Sequence, residues 1–160
     1  MRVKVHKCKN ISHPFPIVAW LIMIFQGMKP WSKKSYSHMA LEFGDYFYNV
    51  RFSGYEKMHR SEFRKVYKLV ETHIFDGDCD VYSFDSWIKD FVDHKYDFVQ
   101  ILGLLAKTLG FITFNKLGAD FRKMICSELP LAFVEKFYGY HIVDSDNYDL
   151  NSTWKVLIKY

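Results

Sequence analysis

This sequence predicts an α+β fold, on three observations. Apolar residues alternate along 37–43 and again along 46–52, on either side of a Gly44-Asp45 turn, as they do in a β-hairpin. Residues 16–26, 97–109 and 127–138 instead repeat their apolar positions at helical spacing. Phe and Tyr number 15 and 11 in a chain of 160 residues, and such rings suit strands and packed layers better than a plain helical bundle.

The elements follow in chain order. Residues 1–13 mix Lys, His and Val without clear period and read as an opening strand or an extended lead. Pro16 sits where its missing N–H is harmless and Gly27 where a helix ends, so 16–26 is a helix, buried or partly exposed as a docking surface. In the hairpin, pairing Phe43 with Tyr46 sets Leu41 against Tyr48 and Met39 against Val50, so the apolar residues of both strands share one face. The other face then gathers His38, Glu42, Asn49 and Arg51. Residues 57–66 are charged and read as solvated. Residues 67–75 and 79–83 read as strands flanking the turn Asp76-Gly77-Asp78, continuing the sheet as a meander. A short amphipathic helix is expected from about 85 to 93, with Trp87, Ile88, Phe91 and Val92 on one side. A buried helix is expected over 97–109, capped by Asp97 with Gln100 and closed by Gly110. Pro130, tolerable only in a first turn, places the start of the last helix near Cys126, and Gly139 ends it.

Length and composition bound the function. At 160 residues and 49% hydrophobic content, the chain can bury a core without disulfides or metals. It shows no repeat, low-complexity tract or linker, so a single domain over 1–160 is expected. The 22 basic and 18 acidic residues are spread along the chain rather than clustered, so no nucleic-acid partner is expected. Lys33 and Lys34, or Lys65 and Lys68, could touch an anionic surface such as a cell wall or lipid, though a solvated face is the simpler reading. Cys8, Cys79 and Cys126 form no CxxC pair, which suggests neither a disulfide framework nor a zinc ribbon. Reduced thiols and a polar, basic start without a signal peptide fit the cytoplasm of the producing cell. The apolar run from Ile17 to Phe25 is too short for a transmembrane segment.

Two residues stand out chemically. Cys126 lies at a predicted helix N-terminus, where unpaired N–H groups and the helix dipole favour a thiolate and could hold an oxyanion. His38 lies on a polar strand face beside Glu42 and opposite Asn49 or Arg51, where one ring nitrogen could be oriented while the other takes a proton. Each alone has a plainer reading, a buried small hydrophobe and a structural histidine. Arg51 would suit an acidic substrate group but reads more simply as a surface cation. His6-Lys7-Cys8 with His13 lacks a fourth metal ligand at any regular spacing, and Asp76, Asp78 and Asp80 lack the closing Glu of a calcium loop; neither a metal nor a cofactor is expected.

Taken together, several fragments resemble one family. Tyr36-Ser37-His38-Met39-Ala40-Leu41, a hairpin, and then Gly54 resemble the histidine half of circularly permuted NlpC/p60 papain-like proteins, a group that includes YiiX-type and phage-encoded members. Lys95-Tyr96-Asp97-Phe98 resembles that family's Tyr-Asp start of a long helix, and Ile125-Cys126-Ser127-Glu128-Leu129 its nucleophile motif. A polar segment around Asp149-Leu150 also fits, so the resemblance runs from about Pro14 to Asn151. It implies an antiparallel sheet or small barrel packed against helices, and a cysteine hydrolase (peptidase or amidase type) acting on amide or ester bonds. In that reading Cys126 is the nucleophile and His38 its base, with Asn49 the third residue and Glu42 a rival for that place. It further implies a peptide, peptidoglycan or lipid substrate and a phage or viral setting, with a virion protein as a further partner. The alternative within the resemblance is a catalytically weak or inactive module of the same fold, for example in a phage particle.

Overall fold

The computed structural model describes residues 1–12, 16–25, 27–76, 78–97, 99, 101–103, 106, 110, 123–139 and 150–159. Five strands form one antiparallel sheet in the order β4-β3-β2-β1-β5: β1 Lys4–Asn10, β2 His38–Phe43, β3 Tyr46–Arg51, β4 Gly54–His59 and β5 Tyr67–Ile74. The opening strand is present and sits inside the sheet, between β2 and β5. The hairpin has the register that the alternation requires, with Phe43 opposite Tyr46 and Leu41 opposite Tyr48. One sheet face buries Val5, Met39, Leu41, Tyr48 and Val50 under the helices α3 Val81–Ile88, α4 Glu128–Tyr138 and α5 Leu150–Leu157. Phe84, Trp87, Phe133 and Phe137 interlock there, with Phe84 and Trp87 centroids 5.6 Å apart and Phe133 and Phe137 4.9 Å apart. The chain is thus α+β, with an antiparallel sheet against helices.

Several expected elements are corrected. Residues 57–66 are not a solvated loop, because β4 runs on to His59 and a helix, α2 Arg60–Val66, follows. Glu62, Arg64 and Lys65 face out while Phe63 is fully buried, stacked on Phe47 at 4.0 Å, and covers the second sheet face. By crossing that face, α2 delivers β5 to β1 instead of to β4, so the meander ends at β4. The expected strand at 79–83 is the start of α3. The Asp80 carboxylate accepts the Ser83 N–H at 2.8 Å and caps the helix. Tyr82, which completes a strand-like alternation in the sequence, is 82% exposed. The helix expected from about 85 therefore begins at Val81, and a 3-10 turn over Lys89–Phe91 continues it. Within the helix expected at 97–109, residues 99, 101–103 and 106 are helical, and Leu102 is 61% exposed where burial was expected. Asp97 is described and buried, whereas the rest, including Phe98, Gln100, Leu105 and Leu109, lies outside the described residues, as do Gly77 of the Asp76–Asp78 turn and His13. A two-strand parallel ladder joins β6 Lys95–Tyr96 to β7 Lys123–Met124.

Helix α1, Pro16–Phe25, begins and ends where its Pro and Gly predict, and it presents Trp20, Leu21 and Ile24 to the exterior. Among the described residues no helix is long and apolar enough to cross a membrane.

Gly54 is dictated twice over. Its φ is +105°, and a Cβ there would lie 2.6 Å from the His94 carbonyl oxygen, which itself accepts the Tyr55 N–H at 3.1 Å. Gly54→Ala is expected to cost about 2 kcal/mol or more of unfolding free energy, read as a lower urea midpoint at unchanged slope.

Candidate active site

His38 opens β2 on the second sheet face, shared with the buried Ala40, Phe47 and Tyr67 rather than only with polar residues, and is 6% exposed. Its ring stacks on Tyr67, with centroids 4.6 Å apart and planes 14° from parallel. Its Nε2 is 3.1 Å from Asn49 Oδ1, while Asn49 Nδ2 donates to the Glu56 carbonyl at 3.2 Å and so fixes which way the amide points. An amide oxygen only accepts, so Nε2 carries the hydrogen and, in the neutral ring, Nδ1 keeps the basic lone pair. Burial lowers the His38 pKa to about 4, with the Asn49 bond opposing and the Arg51 charge reinforcing the shift. The imidazole is therefore neutral at pH 7.

Cys126 occupies the turn between β7 and α4. The Ile125 N–H donates to Glu128 Oε2 at 2.7 Å and the Glu128 N–H donates to the Ile125 carbonyl at 3.1 Å, a reciprocal pair that closes the turn. The helix proper begins at Glu128 with Ser127 as its cap, so Cys126 just precedes it. Backbone N–H groups of Met39, Cys126 and Ser127 favour the thiolate, yet burial outweighs them and pushes the thiol up to about 11. This corrects the expectation that a helix start alone would make Cys126 ionise readily. Met39, whose backbone is among the groups that oppose the rise at Cys126, follows His38 directly in β2.

Beside His38 lies a cavity of about 220 Å³, walled by Asn10, Ala19, Ser37, Arg51 and Tyr67 among others. It opens on His38; Cys126, at 6% exposure, is not part of its wall. Arg51 pairs with Glu56 at 2.9 Å and is half-buried, so it is more than a free surface cation. Glu42 does not reach for His38. It accepts from His6 Nε2 at 2.7 Å and Arg60 at 2.7 Å, with Lys4 at 3.5 Å, in a buried network whose His6 also contacts Thr72 Oγ1 at 2.8 Å. Burial holds His6 below the usual histidine range. Among the described residues no three His, Cys, Asp or Glu side chains gather as metal ligands.

Two residues have a positioning part that the sequence pattern did not assign, Tyr67 and Glu128, the latter standing there only within the motif 125–129. Tyr67 reaches His38 only because β5 pairs with β1, setting Tyr67 opposite Asn10, a long-range pairing with no local signal. Glu128 did have one, a carboxylate in the first turn of a helix, where it can bond a nearby N–H.

The fragments that carry the family resemblance meet in space. Gly54 abuts His94, the next residue begins β6, β6 lies beside β7 with Tyr96 opposite Met124, the Asp97 N–H donates to the Met124 carbonyl at 3.1 Å, and β7 leads into Cys126. Tyr36 closes the other side, its hydroxyl donating to Asn151 Oδ1 at 2.7 Å. Compared with family models, curated proteins and solved structures, the chain finds no match in any of the three.

Proposed function

We propose that this chain is a papain-like cysteine hydrolase of the permuted NlpC/p60 type, with Cys126 as nucleophile, His38 as base and Asn49 as the residue that orients His38. The observation that carries this reading is the His38 tautomer. Asn49 Oδ1 accepts from Nε2 and so leaves Nδ1 as the basic nitrogen of the neutral ring. A neutral pair dictates the route. As Sγ attacks an amide or ester carbonyl, Nδ1 takes the thiol proton, and the Cys126 N–H helps to hold the oxyanion. The imidazolium then protonates the leaving amine or alcohol. This leaves an acyl-thioester on Cys126, which water cleaves with His38 again as base. Wall peptides and acyl lipids are both within this chemistry, and a virion or host-directed setting suits either.

A second reading is favoured by the burial of Cys126: the chain is a non-catalytic module of the same fold. Mass spectrometry after brief exposure to p-nitrophenyl acetate separates the two. The hydrolase reading expects an acetyl adduct on Cys126 in preference to Cys8 and the half-exposed Cys79, and its loss in His38→Ala. Slow modification led by Cys79 and indifferent to His38 would favour the module.

A further inference from the structure

Helix α1 turns only one side inward. Ala19 and Met23 are buried and Ile22 lines the cavity, while Trp20, Leu21 and Ile24 form an exposed apolar strip at helical spacing. The helix stops in a Schellman motif, with the Gly27 N–H on the Ile24 carbonyl at 2.9 Å and the Met28 N–H on the Met23 carbonyl at 2.8 Å. The following turn is fixed by the Ser32 N–H on the Lys29 carbonyl at 2.9 Å and by Ser35 Oγ on the Ser32 carbonyl at 2.7 Å. That turn holds Trp31 77% exposed, with Lys29, Lys33 and Lys34 exposed around it. Trp87 and Trp154 are buried, so both exposed tryptophans of the chain lie within 20–31.

Charge identifies the partner. Residues 1–41 contain seven Lys or Arg and no Asp or Glu. Lys4 and Lys7 are taken up by Glu42 and Glu71, and Lys9 by the Pro30 carbonyl and Ser35 Oγ, which leaves the exposed Arg2 and, in the turn that follows α1, Lys29, Lys33 and Lys34 as outward charge. Tryptophans at the rim of an aliphatic strip, flanked by lysines, suit a headgroup region, where rings sit at the interface and ammonium groups meet lipid phosphates. A protein partner fits less well, because lysine is depleted from protein interfaces. We propose that α1 and the turn at 29–34 dock on an anionic lipid bilayer. Ten residues of helix span about 15 Å, half of a hydrocarbon core, so α1 lies along the surface. Its inner side walls the cavity, which docking therefore places about 10 Å, one helix diameter, from the lipid. This inference is independent of the chemistry at Cys126.

The test is co-sedimentation with vesicles of phosphatidylcholine alone or mixed in equal parts with phosphatidylglycerol, with tryptophan fluorescence read in parallel. Binding about tenfold or more tighter to the anionic vesicles is expected, with a blue shift. Trp20→Ser/Trp31→Ser and Lys29→Gln/Lys33→Gln/Lys34→Gln should each weaken it about tenfold or more with unchanged far-UV circular dichroism, while Tyr82→Ser, equally exposed elsewhere, should not. If the double tryptophan variant misfolds, Trp31→Ser alone carries the comparison. Failure to bind anionic vesicles overturns the proposal. So does a solution dimer that Trp20→Ser/Trp31→Ser dissociates without vesicle binding, which would assign the face to a second copy. Equal loss in Tyr82→Ser overturns it as well.

Discussion

Cys126→Ala is expected to abolish the acyl-enzyme and to lower hydrolysis by about 10⁴-fold or more, since it removes the sulfur that His38 serves. Its effect on folding should be small, about 1 kcal/mol, because the change removes one atom from a site already closed by the Ile125–Glu128 pair. The contrast between the two readouts is the useful part. Loss of turnover with a near-native unfolding midpoint marks a chemical role, whereas turnover that survives on a chosen ester would place the nucleophile elsewhere.

The second large effect is on stability. Glu42 is the single acceptor that holds His6, Arg60 and Lys4 together on the second sheet face. Glu42→Ala leaves the buried His6 Nε2 without its acceptor, while Arg60 keeps only the Gly44 carbonyl and the more distant Asp45, and a loss of about 1–3 kcal/mol is expected from urea unfolding. Glu42→Gln keeps the shape and can still accept from one partner, so it should cost less. This variant also settles the rivalry for the third catalytic place. A folded Glu42→Gln should retain the rate at Cys126, whereas Asn49→Leu, which removes the acceptor for His38 Nε2, should slow it. The reverse pattern would transfer the orienting role to Glu42.

The hairpin and its register were legible because period-two alternation leaves one way to bury Met39, Leu41, Tyr48 and Val50 together, and that alone placed Asn49 on the His38 face. The start of α4 was legible through Pro130, and its end through Gly139, whose φ of 69° a helix terminus uses. Helix α2 was hidden because a helix that only lids a small cluster needs just one deep anchor, Phe63, and the charged residues around it resemble a loop. At 79–83 the alternating side chains suggested a strand, but the Asp80 cap and the Phe84, Trp87 and Ile88 stripe decide for helix. The ionisation of Cys126 was misjudged for a different reason. Helix-start N–H groups can be inferred from local sequence, but the burial that outweighs them arises from packing.

The central claim is that His38 takes the Cys126 proton within a neutral pair, and the pH dependence of single-turnover acylation tests it most directly. With His38 at about 4 and Cys126 at about 11, the wild-type pair stays in its reactive form across pH 6–9, so the rate should be flat there. In His38→Ala only thiolate reacts, and below its pKa that fraction grows about tenfold per pH unit, so a lower rate climbing steeply over the same range is expected. A wild-type rate that climbs with the same slope as His38→Ala would contradict the account, since Cys126 would then ionise by itself and His38 would have no part in moving its proton.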